Sequence, residues 1–311
     1  MTTAFLSHND CLNHLTPPGH PERVERMQAI NAAFAAPEFS SLKRVAAPIG
    51  EDAHVLLAHP VAYLDMIRAA VPVSGLRSLD PDTHMSPGSF NAAMRGVGGN
   101  VKAVDMVLAG EVSNAFVACR PPGHHAEKST AMGFCLFGNV AIAAKYALDH
   151  HGLNRVAIID FDVHHGNGTQ DLVWDDRRIF FASTHQMPLY PGTGAPSETG
   201  AHNNILNVPL DPGTGGTVFR QKMRDLVLPA VEAFQPEMIF VSAGFDAHRD
   251  DPLANLNLIE DDFTWATQAI CDLADRVAGG RIVSTLEGGY DLEALAASAV
   301  AHVRVLMERG V

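Results

Sequence analysis

Five short apolar runs, at 114–119, 155–161, 178–183, 238–242 and 281–286, punctuate the chain, each closing on polar or glycine-rich residues. Their length and their content of Val, Ile and Phe predict buried β-strands. Longer stretches at 138–150, 218–234 and 261–278 carry apolar residues at helical spacing. Strands that alternate with helices form parallel βαβ units, so an α/β fold is expected, a parallel sheet covered by helices on both faces. No Pro/Ser-rich linker, charge block or internal repeat divides the chain, and 1–311 is read as one domain. Each unusual polar cluster begins just past one of these strands. Open α/β sheets bind ligands at the carboxyl ends of strands, so the clusters are expected to converge.

The most telling cluster is Asp160-Phe161-Asp162-Val163-His164-His165-Gly166-Asn167-Gly168. In extended backbone side chains alternate, which puts Asp160, Asp162 and His164 on one face. Three polar groups leaving a buried strand need a cation or hydrogen-bond partners. An isolated Asp-x-His reads more simply as a solvated strand end, but Asp160, His165 and the apolar strand weigh against that here. Asp246 follows another apolar strand and a glycine; alone it reads as a turn or helix cap, and with the others it completes a ligand set. Two carboxylates, one imidazole and an open position describe a catalytic rather than a structural metal site.

Two further clusters supply groups such a site needs. Arg120-Pro121-Pro122-Gly123-His124-His125-Ala126 is a stiff loop presenting adjacent imidazoles, which can take and return a proton near neutral pH. Glu287-Gly288-Gly289-Tyr290-Asp291 places a phenol after flexible backbone, where a neutral Tyr290 could donate to an oxyanion. Separately, a histidine pair is usually surface and a tyrosine after glycines usually packing. Their shared position after strands argues for one site.

Composition narrows the setting. With 47% hydrophobic and 18% charged residues in 311, the chain can bury a large core and is not disordered. Twenty-two Lys+Arg against 35 Asp+Glu give a net charge of −13, which argues against direct nucleic-acid binding but leaves cationic substrates open. The four cysteines, Cys11, Cys119, Cys135 and Cys271, lack CxxC spacing, and Cys119 and Cys135 read as buried thiols. No signal peptide is visible, and no apolar run approaches the roughly 18 residues of a membrane span, so a cytoplasmic location is expected.

The runs Arg-Pro-Pro-Gly-His-His-Ala, Asp-Phe-Asp-Val-His-His-Gly-Asn-Gly-Thr, Ala-Gly-Phe-Asp and Glu-Gly-Gly-Tyr, in this order, resemble the histone deacetylase superfamily. The chain looks like a bacterial-type member close to the class II deacetylases and acetylpolyamine amidohydrolases, from about His20 to Tyr290. The resemblance implies an arginase-like fold with a central, mainly parallel sheet of about eight strands. It implies zinc ligands at Asp162, His164 and Asp246, catalytic histidines at His124 and His125, and an oxyanion donor at Tyr290. Asp160 matches the carboxylate behind His124 and a ligand of a structural monovalent cation, potassium. The same cation would be held by backbone carbonyls of Asp162 and His164 and by Ser183 and Thr184. Gly133, Phe134 and Tyr190 match the walls of an acyl-lysine tunnel, with the two aromatics facing each other. Asn167 stands where class I enzymes have an aspartate behind the second histidine, so His125 is expected to be oriented but less basic.

The expected activity is metal-assisted hydrolysis of an acyl group from an acyl-lysine peptide or a small acylated amine. Zinc and ferrous iron both suit the ligand set. Leu253 matches the position where polyamine-specific relatives carry a glutamate, which favours acyl-lysine over acetylpolyamines as substrate. A dinuclear manganese ureohydrolase would need further carboxylates where His165, Gly166, Ala247 and His248 stand. A non-catalytic acyl-lysine binder would have lost Tyr290 or a metal ligand. The chain is compatible with a homo-oligomer, although no coiled-coil repeat specifies one.

Overall fold

The computed structural model describes residues 2–310. Its strands are β1 (Thr3–Ser7), β2 (Lys43–Ala46), β3 (Arg77–Ser78), β4 (His84–Met85), β5 (Asn114–Val117), β6 (Val156–Asp160), β7 (Ile179–Gln186), β8 (Ile205–Leu210), β9 (Ile239–Ala243) and β10 (Ile282–Leu286). Its helices are α1 (Val24–Ala33), α2 (Asp52–Val55), α3 (Val61–Ala69), α4 (Ser89–Leu108), α5 (Asn139–Asp149), α6 (Asn167–Val173), α7 (Gly216–Lys222), α8 (Leu228–Phe234), α9 (Glu260–Val277) and α10 (Leu292–Arg309). Strands β3 and β4 form a small antiparallel ribbon. The other eight make one parallel sheet in the order β2-β1-β5-β10-β9-β6-β7-β8.

Helices α1, α9 and α10 pack together in one layer, and α4 packs on α5 in the other. Every residue of β5, β6, β9 and β10 is buried. A strand covered on both faces has no solvent side to alternate with, which is why these runs are mostly apolar and lack a two-residue polar period. The chain leaves β5, crosses beyond β10 and β9, and returns as β6. Five neighbouring strands, β5-β10-β9-β6-β7, therefore carry all the motif loops on one edge of the sheet.

Two elements differ from expectation. The helical stretch at 218–234 is α7 and α8 joined by a π turn at Met223–Val227. Pro229 lacks an N–H and its ring crowds the carbonyl four residues back, so the helix widens just before it. Strand β7 runs on to Gln186 because its polar end finds partners. His185 Nδ1 lies 2.9 Å from Ser183 Oγ, and Gln186 Oε1 accepts from Asn255 N at 2.8 Å. No described helix is long and apolar enough to cross a membrane.

Candidate active site

Strand β6 ends at Asp160, and the backbone beyond it bends instead of continuing extended. The expected alternation of Asp160, Asp162 and His164 along a strand is thus corrected to two successive side-chain turns. Asp160 Oδ1 accepts from Asp162 N at 3.0 Å, and Asp162 Oδ1 accepts from His164 N at 2.9 Å. Short carboxylates bond readily to the backbone two residues on, and this pairing curls the segment over the end of the sheet.

The curl brings Asp162 and His164 to Asp246, with one ligand atom of each lying within 4.8 Å of the others, all three side chains being buried. His164 Nδ1 is 3.2 Å from Asp162 Oδ1 and 3.1 Å from Asp246 Oδ2. Burial alone would lower this imidazole, but the two carboxylates outweigh it and push it up to about 10. The point between them therefore demands a positive charge, which a proton or a metal ion can supply. The remaining carboxylate oxygens are tied to backbone: Asp162 Oδ2 accepts from Gly288 N at 2.8 Å, and Asp246 Oδ1 from Val163 N at 2.9 Å. Such outer bonds fix the direction of metal ligands. Gly244 and Gly288 are required by this packing, since a Cβ on either would fall 2.0 Å or 2.5 Å from Asp162 Oδ2. The donor set fits a divalent ion of the zinc type with open positions.

The tandem histidines are buried, their rings 4.0 Å apart. His124 Nδ1 is 3.1 Å from Asp160 Oδ2. Burial would lower His124, yet Asp162 and Asp160 prevail and hold it well above the usual imidazole range. His125 goes the other way, pushed well below that range by burial and by the charges on His124 and His164. Its Nδ1 lies 2.7 Å from Asn167 Oδ1, while Asn167 Nδ2 donates to Glu127 Oε1 at 2.7 Å. The carboxylate accepts only, which fixes the amide orientation and makes His125 Nδ1 the protonated nitrogen. Nε2 of His125 is left as the free base.

Asp82, His125, Gly133, Phe134, His164, Leu189, Tyr190, Leu253 and Tyr290 together line a cavity of about 250 Å³. The three expected wall residues, Gly133, Phe134 and Tyr190, are among them, and so is Leu253. Gly133 lies so close that a Cβ would sit 2.4 Å from His125 Cδ2. Phe134 adopts φ +69°, strained for a residue with a side chain, and its N–H is held by Thr83 Oγ1 at 3.0 Å. The ring of Tyr190 stands edge-on to His125 at 5.2 Å, and that of Phe134 to Tyr290 at 5.8 Å. Tyr290 is buried, which raises its phenol well above 10 and keeps it neutral.

For the monovalent cation, Asp160 and Ser183 are register partners on β6 and β7 and share a face. Thr184 points to the opposite face, and its hydroxyl is buried without a hydrogen-bond partner among the described residues.

Several buried charges escaped the sequence reading. Glu22 binds Arg120 through both oxygens, at 2.6 and 2.5 Å, and Arg26 at 3.1 Å. Arg26 in turn donates to the carbonyls of Gly289 and Glu287 and lies 4.9 Å over the Tyr290 ring. Glu287 Oε2 accepts from the N–H groups of Gly123 and His124 at 2.7 and 3.1 Å, anchoring the histidine loop. Asp251 Oδ2 accepts from Tyr290 N at 2.7 Å. Arg120 and Glu287 both adjoin the motif glycines or prolines, a charge at the end of a buried strand being the available signal. All four cysteines are buried and free, as expected for Cys119 and Cys135.

A family model for the histone deacetylase domain matches residues 20–306. Over 308 residues the chain is 42% identical to an uncharacterized Synechocystis protein, slr0245, covering 98% of this chain and 99% of that one. It is 41% identical over 277 residues to a histone deacetylase-like amidohydrolase of Pseudomonas aeruginosa, covering 88% and 73% respectively. The crystal structure of the HDA15 HD domain superposes with a TM-score of 0.94 at 33% identity, over 99% of this chain and 89% of that one. The chain belongs to the histone deacetylase family, and its single parallel sheet flanked by helices is the arginase-like fold of that family.

Proposed function

We propose that this protein is a zinc-type deacylase that hydrolyses the amide of an acyl-lysine peptide or a small acylated amine. One observation carries the reading: Asp162, His164 and Asp246 converge beside a free imidazole nitrogen and a neutral phenol at the end of a narrow apolar cavity. Asp162, His164 and Asp246 would hold the ion. When bound, such an ion supplies a Lewis acid for the amide carbonyl and a more acidic water.

The remaining work belongs to the chain. Gly133, Phe134, Tyr190 and Leu253 take the aliphatic stem of the substrate and exclude bulk water from the scissile bond. His125, held through Nδ1 by Asn167, presents Nε2 to receive the proton of attacking water. Tyr290 donates its hydroxyl hydrogen to the developing oxyanion. His125, once protonated, returns its proton to the leaving amine. His124 stays cationic against Asp160 and keeps positive charge beside the site. Glu127 adds negative charge behind Asn167, so the relay to His125 is less neutral than asparagine alone implies. A potassium-class cation near Asp160 and Ser183 would stiffen the same turn.

Leu253 supplies no charge for a cationic chain, which leaves Asp82 as the one carboxylate among the residues lining the cavity. The expected result is a higher kcat/KM for an acetyl-lysine peptide than for a monoacetylated polyamine. Leu253→Glu is expected to shift that ratio toward the polyamine by roughly 5- to 10-fold, the effect of one attractive charge at a rim. An acetylpolyamine preferred by the unmodified protein would overturn the substrate assignment, and an unchanged ratio in the variant would remove Leu253 from it.

A further inference from the structure

A second cavity, of about 730 Å³, shares no lining residue with the tunnel. It is bounded by residues 56–60, by Lys128, by Lys145 on α5, and by the far end of α6 and the segment after it up to Arg178. Most of its charged side chains are already engaged. Arg178 pairs with Asp176 and Asp149, each at 2.8 Å, and Asp175 lies 3.0 Å from His202 Nε2. Asp171 accepts from the backbone N–H of Lys128 at 2.8 Å. His59 accepts from Gly138 N at 2.9 Å and faces the Lys128 carbonyl at 3.2 Å.

Two charges remain. Neither the Lys128 nor the Lys145 ammonium has an ion-pair or hydrogen-bond partner among the described residues. Lys145 is half-buried, and that burial lowers its pKa against the opposing pull of Asp176 and Asp149, neither of which its ammonium contacts. Asp171, Asp175 and Asp176 line the same wall, but a half-desolvated ammonium with no carboxylate in contact still gains from an anion that reaches it directly. Trp174, 40% exposed, adds a flat aromatic surface to the same wall, where a lone polar anion would gain nothing from it. The volume is within the range of small-molecule sites.

We propose that this cavity binds a small anionic ligand with a flat ring, its phosphate or carboxylate taken by Lys145 and Lys128 and its ring laid against Trp174. The site is separate from the tunnel, and its test does not depend on the hydrolytic reading.

The chain has two tryptophans, and the other, Trp265, lies under Arg220 and Arg224. Trp265→Phe therefore leaves Trp174 as the sole reporter. Titration of that variant with AMP, benzoate and adenosine is expected to give a saturable fluorescence change with at least one of the two anions. The stronger of the two identifies phosphate or carboxylate as the preferred group. Adding Lys145→Met should raise the half-saturating concentration by about tenfold or more, while Lys145→Arg stays within a few-fold, as for a charge-assisted contact. Thermal melts verify that each variant is folded. The proposal is overturned by no saturable response to either anion up to about 10 mM, the weak end of small-ligand affinity. It is equally overturned by adenosine binding as well as AMP, or by Lys145→Met leaving the titration unchanged.

Discussion

Tyr290→Phe is expected to lower kcat for amide hydrolysis by about 10²–10³-fold, equivalent to about 2.7–4 kcal/mol of barrier, with KM and Tm nearly unchanged. The substitution removes one oxygen and keeps the ring. That ring is held by packing that phenylalanine preserves: Phe134 edge-on at 5.8 Å and the Arg26 guanidinium 4.9 Å above it. Its backbone N–H stays bonded to Asp251. The hydroxyl has no structural duty, and in the proposed mechanism it has a chemical one. Burial raises its pKa well above 10, so it is protonated at every working pH and can donate. Metal content should not change, because Tyr290 is not among the converging ligands. Steady-state kinetics beside a thermal melt check this; a kcat within a few-fold of the parent protein would take Tyr290 out of the reaction.

The second large effect is on stability. Glu22→Gln is expected to destabilise the fold by about 3–5 kcal/mol, the usual cost of breaking a buried ion pair from one side. Glu22, Arg26 and Arg120 are all fully buried. Without the carboxylate, two guanidinium groups share a dry cavity with no counter-charge, and the new amide turns a donor toward donors. Against a typical total of about 5–15 kcal/mol the loss is severe, and a Tm lower by roughly 5–10 °C is expected.

The same residue sets a pH dependence. Burial alone would raise the Glu22 carboxyl, but Arg120 and His14 override it and hold it well below 4.5. A depressed carboxyl adds stability that is complete above its ordinary range and disappears as pH falls through the lowered value. The gap in Tm between the parent and Glu22→Gln should therefore be constant from neutral pH down to the ordinary glutamate range and narrow only below it. A gap that closed between pH 7 and 5 would contradict the assigned ion pair.

These residues also show what the sequence could and could not convey. The strands at the centre of the sheet were legible because burial on both faces makes each a short, mostly apolar run with no exposed polar side. The edge strands β2 and β8, and β1 beside the first of them, were not. In β2, Lys43, Arg44 and Ala46 are exposed, and β8 is interrupted by Asn207 and Pro209, so neither shows a clean pattern. Helices α4 and α10 went unremarked for a related reason: with glycines at 96, 98 and 99 and many small residues, their apolar faces are too broad to stand out.

At the site, the ligand trio and the tandem histidines were legible from motif spacing, although the turns that join them were not. A carboxylate that bonds to the backbone two residues later looks, in sequence, like one pointing from a strand. The Glu22–Arg120 pair was invisible because its members lie 98 residues apart, and nothing local to either marks it. Glu127 lay next to the histidine loop, yet its role depends on Asn167 folding back to meet it.

The central claim is that Asp162, His164 and Asp246 hold a divalent ion on which amide hydrolysis depends. It is tested most directly by stripping the protein with a chelator, reloading it with zinc, and measuring acetate release from an acetyl-lysine peptide, with Asp162→Ala as control. The account predicts loss of release on stripping, recovery at about one zinc per chain, and neither zinc binding nor release in the variant. Release that persists in the stripped protein, or equal release by folded Asp162→Ala, would contradict it.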